Sequence, residues 1–160
     1  MALTNNGPIE HRDESEFHAS FRADLVDVKD EAVLLSPFLH GGRACQYYAL
    51  FGDLARRGVK VTIYTRPERE LAGESRQEHA RVCGSLGAVG VDLKTRPSMH
   101  EKLAVLDRTT LWHGSLNRHR RPGVGVGSTA VEWSAGLRRE WPATFLSAWM
   151  DAKRGSCSTP

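Results

Sequence analysis

Cysteine is scarce in this chain of 160 residues: Cys45, Cys83 and Cys157 are odd in number, widely separated and form no C-x-x-C pair. That argues against a disulfide framework and against a clustered zinc site. Long apolar runs are also missing; no stretch approaches the eighteen or so residues of a membrane span, so no membrane association is expected. The start, MALTNNGPIEHRDESEF, has no basic segment followed by an apolar one, so no signal peptide is expected. Charge of one sign is lacking too: 22 Lys and Arg against 19 Asp and Glu give a net charge of +3. Such a balance excludes a histone-like polycation and only mildly favours polyanionic partners. A soluble cytoplasmic protein with one globular domain is the expectation.

The pattern of what is present alternates between helical and extended periods. Residues 1–14 are polar and expected to be disordered, 15–154 to form the single domain, and 155–160 to fray. Phe17, Phe21, Leu25 and Val28 recur on one face of a helix starting at Ser15. AVLLSPF (32–38) reads as a buried strand. A second helix carries Tyr47, Leu50, Phe51 and Leu54 and closes at Gly58. VKVTIYT (59–65) alternates as a strand, RPERELAGESR is a charged loop, 74–87 is a helix, and AVGVDLK (88–94) is a short strand. HEKLAVLD (100–107) and TTLWHGS (109–115) read as adjacent strands, TAVEWSAGL as another, and EWPATFLSAWMDAKR as a terminal helix. The expected architecture is α/β, a mixed β-sheet flanked by helices on both faces.

Chemistry concentrates in MHEKLAVLDRTTLWHGSLN, residues 99–117. In a strand, His100 and Lys102 project to one side, roughly 7 Å apart. A hairpin centred on the Arg108–Thr109 bond would set Lys102 opposite Ser115 and His100 opposite Asn117. Four polar side chains on one face of an apolar ladder cost free energy unless they share a polar ligand. An imidazole, an ammonium, a hydroxyl and an amide suit a phosphate oxyanion. Taken singly, each is ordinary: a lone His or Lys on a strand is surface decoration, and Gly114-Ser115 a turn. Their conjunction is what outweighs that bland reading.

The spacing H-x-K-x4-D-x6-G-S-x-N, filled by His100, Lys102, Asp107, Gly114, Ser115 and Asn117, resembles the HKD signature of the phospholipase D superfamily. The order of helices and strands from about 15 to 153 is similar to one lobe of that α/β/α sandwich fold. The resemblance implies a metal-independent phosphodiesterase without cofactor. One histidine attacks phosphorus to give a phosphohistidine, a second protonates the leaving oxygen and then activates water, and lysine and asparagine hold the non-bridging oxygens. It implies two motifs per active site, whereas this chain carries one, so a symmetric homodimer with His100 facing its copy follows. Glu132, in TAVEWS, is the candidate for the acidic residue that orients the histidine, and Asp107 and Gly114 are expected to be structural.

Arg118, Arg120 and Arg121, with His119, follow Asn117 directly and are candidates to track neighbouring phosphates of a polymer; a solvated loop is the bland alternative. GVGVGS (123–128) lacks the ending of a nucleotide-binding loop and is read as a flap. His79 and Cys83 share a helix face without further ligands at partner spacing, so a packed pair is expected in place of a metal site. Trp133, Trp141 and Trp149 are read as core or interface. The preferred function is an endonuclease acting on nucleic acid, with DNA favoured over RNA. The alternatives are a phospholipid phosphodiesterase or phosphatidyl transferase, and a non-catalytic nucleic-acid-binding module of a helicase or restriction assembly.

Overall fold

The computed structural model describes residues 9–12, 14–39, 41–114, 136–140 and 150–151. Alternation of apolar residues builds its sheet. In β2 (Glu31–Leu35) and β3 (Lys60–Thr65), Ala32, Leu34, Val61 and Ile63 face one way, while Val33, Leu35 and Tyr64 face the other. Both strands are buried on both faces, as parallel strands are, and β2 pairs in parallel with β3. β3 in turn pairs in parallel with β4 (Asp92–Thr95). β5 (Leu103–Leu106) runs antiparallel to β2, and β6 (Thr110–Gly114) antiparallel to β5. Beyond them lie β7 (Gly136–Glu140) and β1 (Ile9–Arg12), both antiparallel, giving the order β1-β7-β6-β5-β2-β3-β4.

Three helices cover the first face: α1 (Glu14–Val26), α2 (Gly41–Arg56) and α3 (Gly73–Ala88). Phe17, Phe21 and Leu25 of α1 pack with Leu50, Phe51 and Leu54 of α2 and Val82 and Leu86 of α3. Trp112 of β6 is the largest fully buried side chain among the described residues. Its ring meets Phe17 and Phe21 edge-on at 5.3 and 5.5 Å, and its indole N–H donates to Asp24 Oδ2 at 2.8 Å, which satisfies the one polar atom of a buried indole. The second face packs Val33, Leu35, Tyr64, Met99 and Val105 against Met150, which is helical with Asp151. This is the mixed sheet with helices on both faces that the periodicity indicates.

Several boundaries differ from expectation. The strand expected over 100–107 is confined to Leu103–Leu106, so His100 and Lys102 precede it; the strand expected over 32–38 ends at Leu35, and the first helix ends at Val26, before Val28. Residues 9–12, expected inside a disordered 1–14 segment, form β1, because Ile9–Arg12 finds a backbone partner in Arg139–Gly136. The segment 88–94 is not one strand. α3 continues to Ala88, Gly90 turns the chain at φ 93°, and β4 begins only at Asp92. Of the strand expected over 129–137, residues 129–135 lie outside the described residues, while Gly136 and Leu137 begin β7, which runs on to Glu140 where the terminal helix was expected to start; most of that helix lies outside the described residues.

Candidate active site

Because β2, β3 and β4 are parallel and β5 returns antiparallel, the entry to β5 lies beside the exits of β2 and β3. That edge, outside the carboxyl ends of parallel strands, is where open α/β sheets bind ligands. His100 and Lys102 sit on it, just before Leu103. Met99 packs with Leu103 and Val105 on the second face. Residues 99–102 precede the strand; Gly114 N donating to Lys102 O at 3.0 Å continues the ladder by one residue, and alternation over that step puts Lys102 on the side of Ala104 and Leu106. His100 is exposed and Lys102 half-buried.

The imidazole is met by Arg66, the residue directly after β3. One terminal guanidinium nitrogen lies 2.8 Å from His100 Nδ1 and 2.9 Å from Nε2. A guanidinium donates only, so whichever ring nitrogen it serves must present a lone pair. Arg66 Nε donates to Met99 O at 2.6 Å, and Arg66 Cζ stands 5.1 Å from the centre of the Phe38 ring. On the other side Glu70 is 3.9 Å from Arg66 Nε. Both oxygens of Glu70 accept from Ser98 N at 3.0 Å, which holds Ser98 at a φ of 54° two residues before His100. Glu101 accepts from His100 N at 3.1 Å and pairs with Arg96 at 3.3 Å. From the sequence Arg66 reads only as part of a charged loop. The signal that marks it is a cation at the carboxyl end of a parallel strand.

The β5–β6 hairpin corrects the expected register. Asp107 and Arg108 take φ of 47° and 58°, and Thr109 N donates back to Leu106 O at 3.0 Å, the pattern of a two-residue loop. Yet pairing resumes at Leu106 with Thr110, not Thr109. Thr109 is an extra residue on the β6 side, a bulge that moves every later pair by one. Lys102 therefore faces Gly114, whose N–H donates to Lys102 O at 3.0 Å, where Ser115 was expected. Hairpin register alone does not carry Ser115 and Asn117 to the face of Lys102. Ser115, Asn117, Glu132, Arg118, Arg120 and Arg121 lie outside the described residues.

Asp107 sits at the far end of β5. Its Oδ2 accepts from Lys29 N at 2.9 Å, and its Oδ1 from Asp30 N at 2.8 Å and Glu31 N at 3.0 Å. Burial pushes its carboxyl up, but the three backbone N–H groups and the Lys29 charge outweigh it and hold the group below the usual carboxylate range. Arg108 pairs with Glu31 alongside. On α3, buried His79 accepts from Leu39 N at 3.3 Å, so it packs against the chain leaving β2. Burial and then the Glu68 charge push the Cys83 thiol up. No group of three or more His, Cys, Asp or Glu suited to a metal ion occurs among the described residues.

A family model described as "Cardiolipin synthase, PLD-like domain" matches residues 28–123, more than half of the chain and all of the H-x-K-x4-D-x6-G-S-x-N motif. The chain belongs to the phospholipase D-like family. That superfamily comprises phosphodiesterases and transferases. The fold is similar to Nuc from Salmonella typhimurium, a phospholipase D family member. That match has a TM-score of 0.66 at 14% identity, over 94% of this chain and 92% of that one. NucT from Helicobacter pylori matches with a TM-score of 0.62 at 14% identity, over 92% and 95% of the two chains. The phosphatidylserine synthase of Haemophilus influenzae matches with a TM-score of 0.61 at 14% identity, over 97% of this chain but 39% of the synthase. No curated protein sequence matches.

Proposed function

We propose that the protein is a metal-independent endonuclease that hydrolyses DNA phosphodiester bonds, working as a homodimer with one active site between two copies of His100. The observation that carries this reading is the exposed His100 imidazole at the carboxyl edge of β2 and β3, met by the Arg66 guanidinium at 2.8 Å. An accessible nitrogen lone pair beside fixed positive charge is what attack on a phosphate anion needs.

In this reading His100 of one copy forms an N–P bond while the P–O bond to the leaving oxygen breaks. That oxygen takes its proton from His100 of the partner subunit. The same partner histidine then removes a proton from water, which attacks phosphorus and breaks the N–P bond. Lys102 and Asn117 hold the non-bridging oxygens, Ser115 contributes its hydroxyl, and Glu132 orients His100. Arg118, Arg120 and Arg121 track flanking phosphates. The cationic donors take the charge-neutralising role that a metal ion plays in other phosphodiesterases. The match to Nuc and NucT over almost their whole lengths supports a working unit of about this chain's size, in contrast to the much longer synthase.

The test is cleavage of single- and double-stranded DNA in excess EDTA by the wild type and His100→Ala, with the molar mass of the active species measured alongside. Metal-free cleavage lost in the variant is expected; cleavage that EDTA abolishes, or that an active monomer performs, overturns the reading. The family model's own description favours one second reading, phosphatidyl transfer. Among the described residues no helix is long and apolar enough to cross a membrane. Headgroup release or exchange on phospholipid vesicles, without DNA cleavage, would select that alternative.

A further inference from the structure

We infer that Arg66 is a phosphate-binding residue of this site, one whose guanidinium, held beside the His100 ring, donates to a non-bridging oxygen of a bound phosphate. The inference rests on the phosphodiesterase reading for its substrate and on geometry for the residue. Arg66 belongs to no part of the H-x-K-x4-D-x6-G-S-x-N motif. It comes from β3, which is separated from β5 by β2.

Its guanidinium is held in place by the protein itself. Arg66 N donates to Pro37 O at 3.4 Å, which keeps the backbone beside the exit of β2. Nε is tied to Met99 O, Phe38 supplies an aromatic face, and Glu70 stands at ion-pair distance. The side chain is only 15% exposed. Four rotatable bonds are thus restrained at the mouth of the site, so little rotamer freedom is left to lose on binding.

What that held group touches is a poor final partner. A terminal nitrogen faces a neutral ring nitrogen, and Glu70 at 3.9 Å lies beyond hydrogen-bond reach. A phosphate oxygen carries negative charge, so the guanidinium gains with it the Coulombic attraction of an ion pair, which a neutral ring nitrogen does not offer. The planar fork matches two phosphate oxygens, which an imidazole cannot offer. Given both acceptors, the guanidinium favours the anion, and a ring nitrogen of His100 is then free of it.

The experiment compares wild type, Arg66→Met and Arg66→Gln in hydrolysis of bis(p-nitrophenyl) phosphate, in inhibition by inorganic phosphate, and in melting temperature. Loss of one charge-assisted contact predicts KM and the phosphate inhibition constant raised about 10- to 100-fold, with melting temperatures close to wild type. Arg66→Gln retains a donor for Met99 O, so it carries the test if Arg66→Met does not fold. Unchanged KM and phosphate inhibition in a folded variant overturn the inference, as does a lowered melting temperature as the sole effect. A wild type that binds inorganic phosphate in an Arg66-dependent way but cleaves no diester keeps the inference and removes the phosphodiesterase reading. A wild type that neither binds phosphate nor cleaves removes both.

Discussion

Replacing Asp107 by alanine should cost stability and spare chemistry. Its carboxylate takes three backbone N–H groups, from Lys29, Asp30 and Glu31, at the start of β2. Hydrogen bonds to a charged acceptor contribute about 1.5–3 kcal/mol each when buried. Asp107 is only half-buried, and the freed N–H groups regain water, so about 2 kcal/mol in total is a realistic loss. For a domain of this size that lowers the melting temperature by about 4–8 °C. Asp107→Asn keeps one acceptor oxygen and should fall between. The sign of the pH dependence follows from the lowered folded-state pKa. The stabilisation is complete above the unfolded carboxyl value of about 3.9 and fades as pH falls through the folded value. Urea unfolding of wild type and Asp107→Asn from pH 7 to 2.5 should therefore show a stability gap that narrows below about pH 4. A constant or widening gap would refute the carboxylate as its source. Diester turnover per folded molecule should change little, because Asp107 lies about 15 Å along the strand from Lys102. A large activity loss at wild-type stability would instead make Asp107 part of the chemistry.

Two further predictions concern the framework. In α3, a Cβ at Gly84 would meet nothing within 4 Å, so Gly84→Ala should stabilise by about 0.5–1 kcal/mol. Gly90→Ala should destabilise by at least about 1 kcal/mol, since Gly90 has φ 93° and its Cβ would lie 3.1 Å from Ala55 Cβ; urea midpoints moving in opposite directions check the pair. The raised thiol pKa of Cys83 predicts that it reacts with a disulfide reagent at pH 7.5 several-fold more slowly in the folded protein than after denaturation, read on a Cys45→Ser, Cys157→Ser background.

Residues whose burial is set by a repeating period were legible from sequence. Phe17, Phe21 and Leu25 announce α1, and the alternation in 59–65 announces β3, because each must put one face into the core. What stayed hidden depends on distant partners. IEHR has no period of its own and becomes β1 by pairing with β7. Thr109 becomes a bulge because Asp107 and Arg108 are bound to 29–31, an anchorage that local turn rules do not contain. Arg66 joins His100 only once β3 and β5 flank β2 in a single sheet. His100 and Lys102 were legible as a motif, but motif spacing along a chain does not reveal a neighbour 34 residues away.

The spacing of the motif nevertheless has a structural meaning. The four residues between Lys102 and Asp107 are β5 itself, Leu103–Leu106. The motif thus spans one strand from end to end, with the histidine and lysine at the edge where β2 and β3 exit and the aspartate pinned where β2 begins. Strand length and alternation are then both constrained. Adding one residue within β5 must either pull Asp107 off the Lys29–Glu31 backbone or turn Lys102 to the opposite face, toward Met99 and Val105, and move His100 with it. The first gives up the anchor, and the second gives up the contact with Arg66, which is delivered by β3 and cannot follow a slip in β5. A fixed count of four between lysine and aspartate is therefore the distance across the sheet expressed in residues, and it couples the anchor at one edge to the aim of the imidazole at the other.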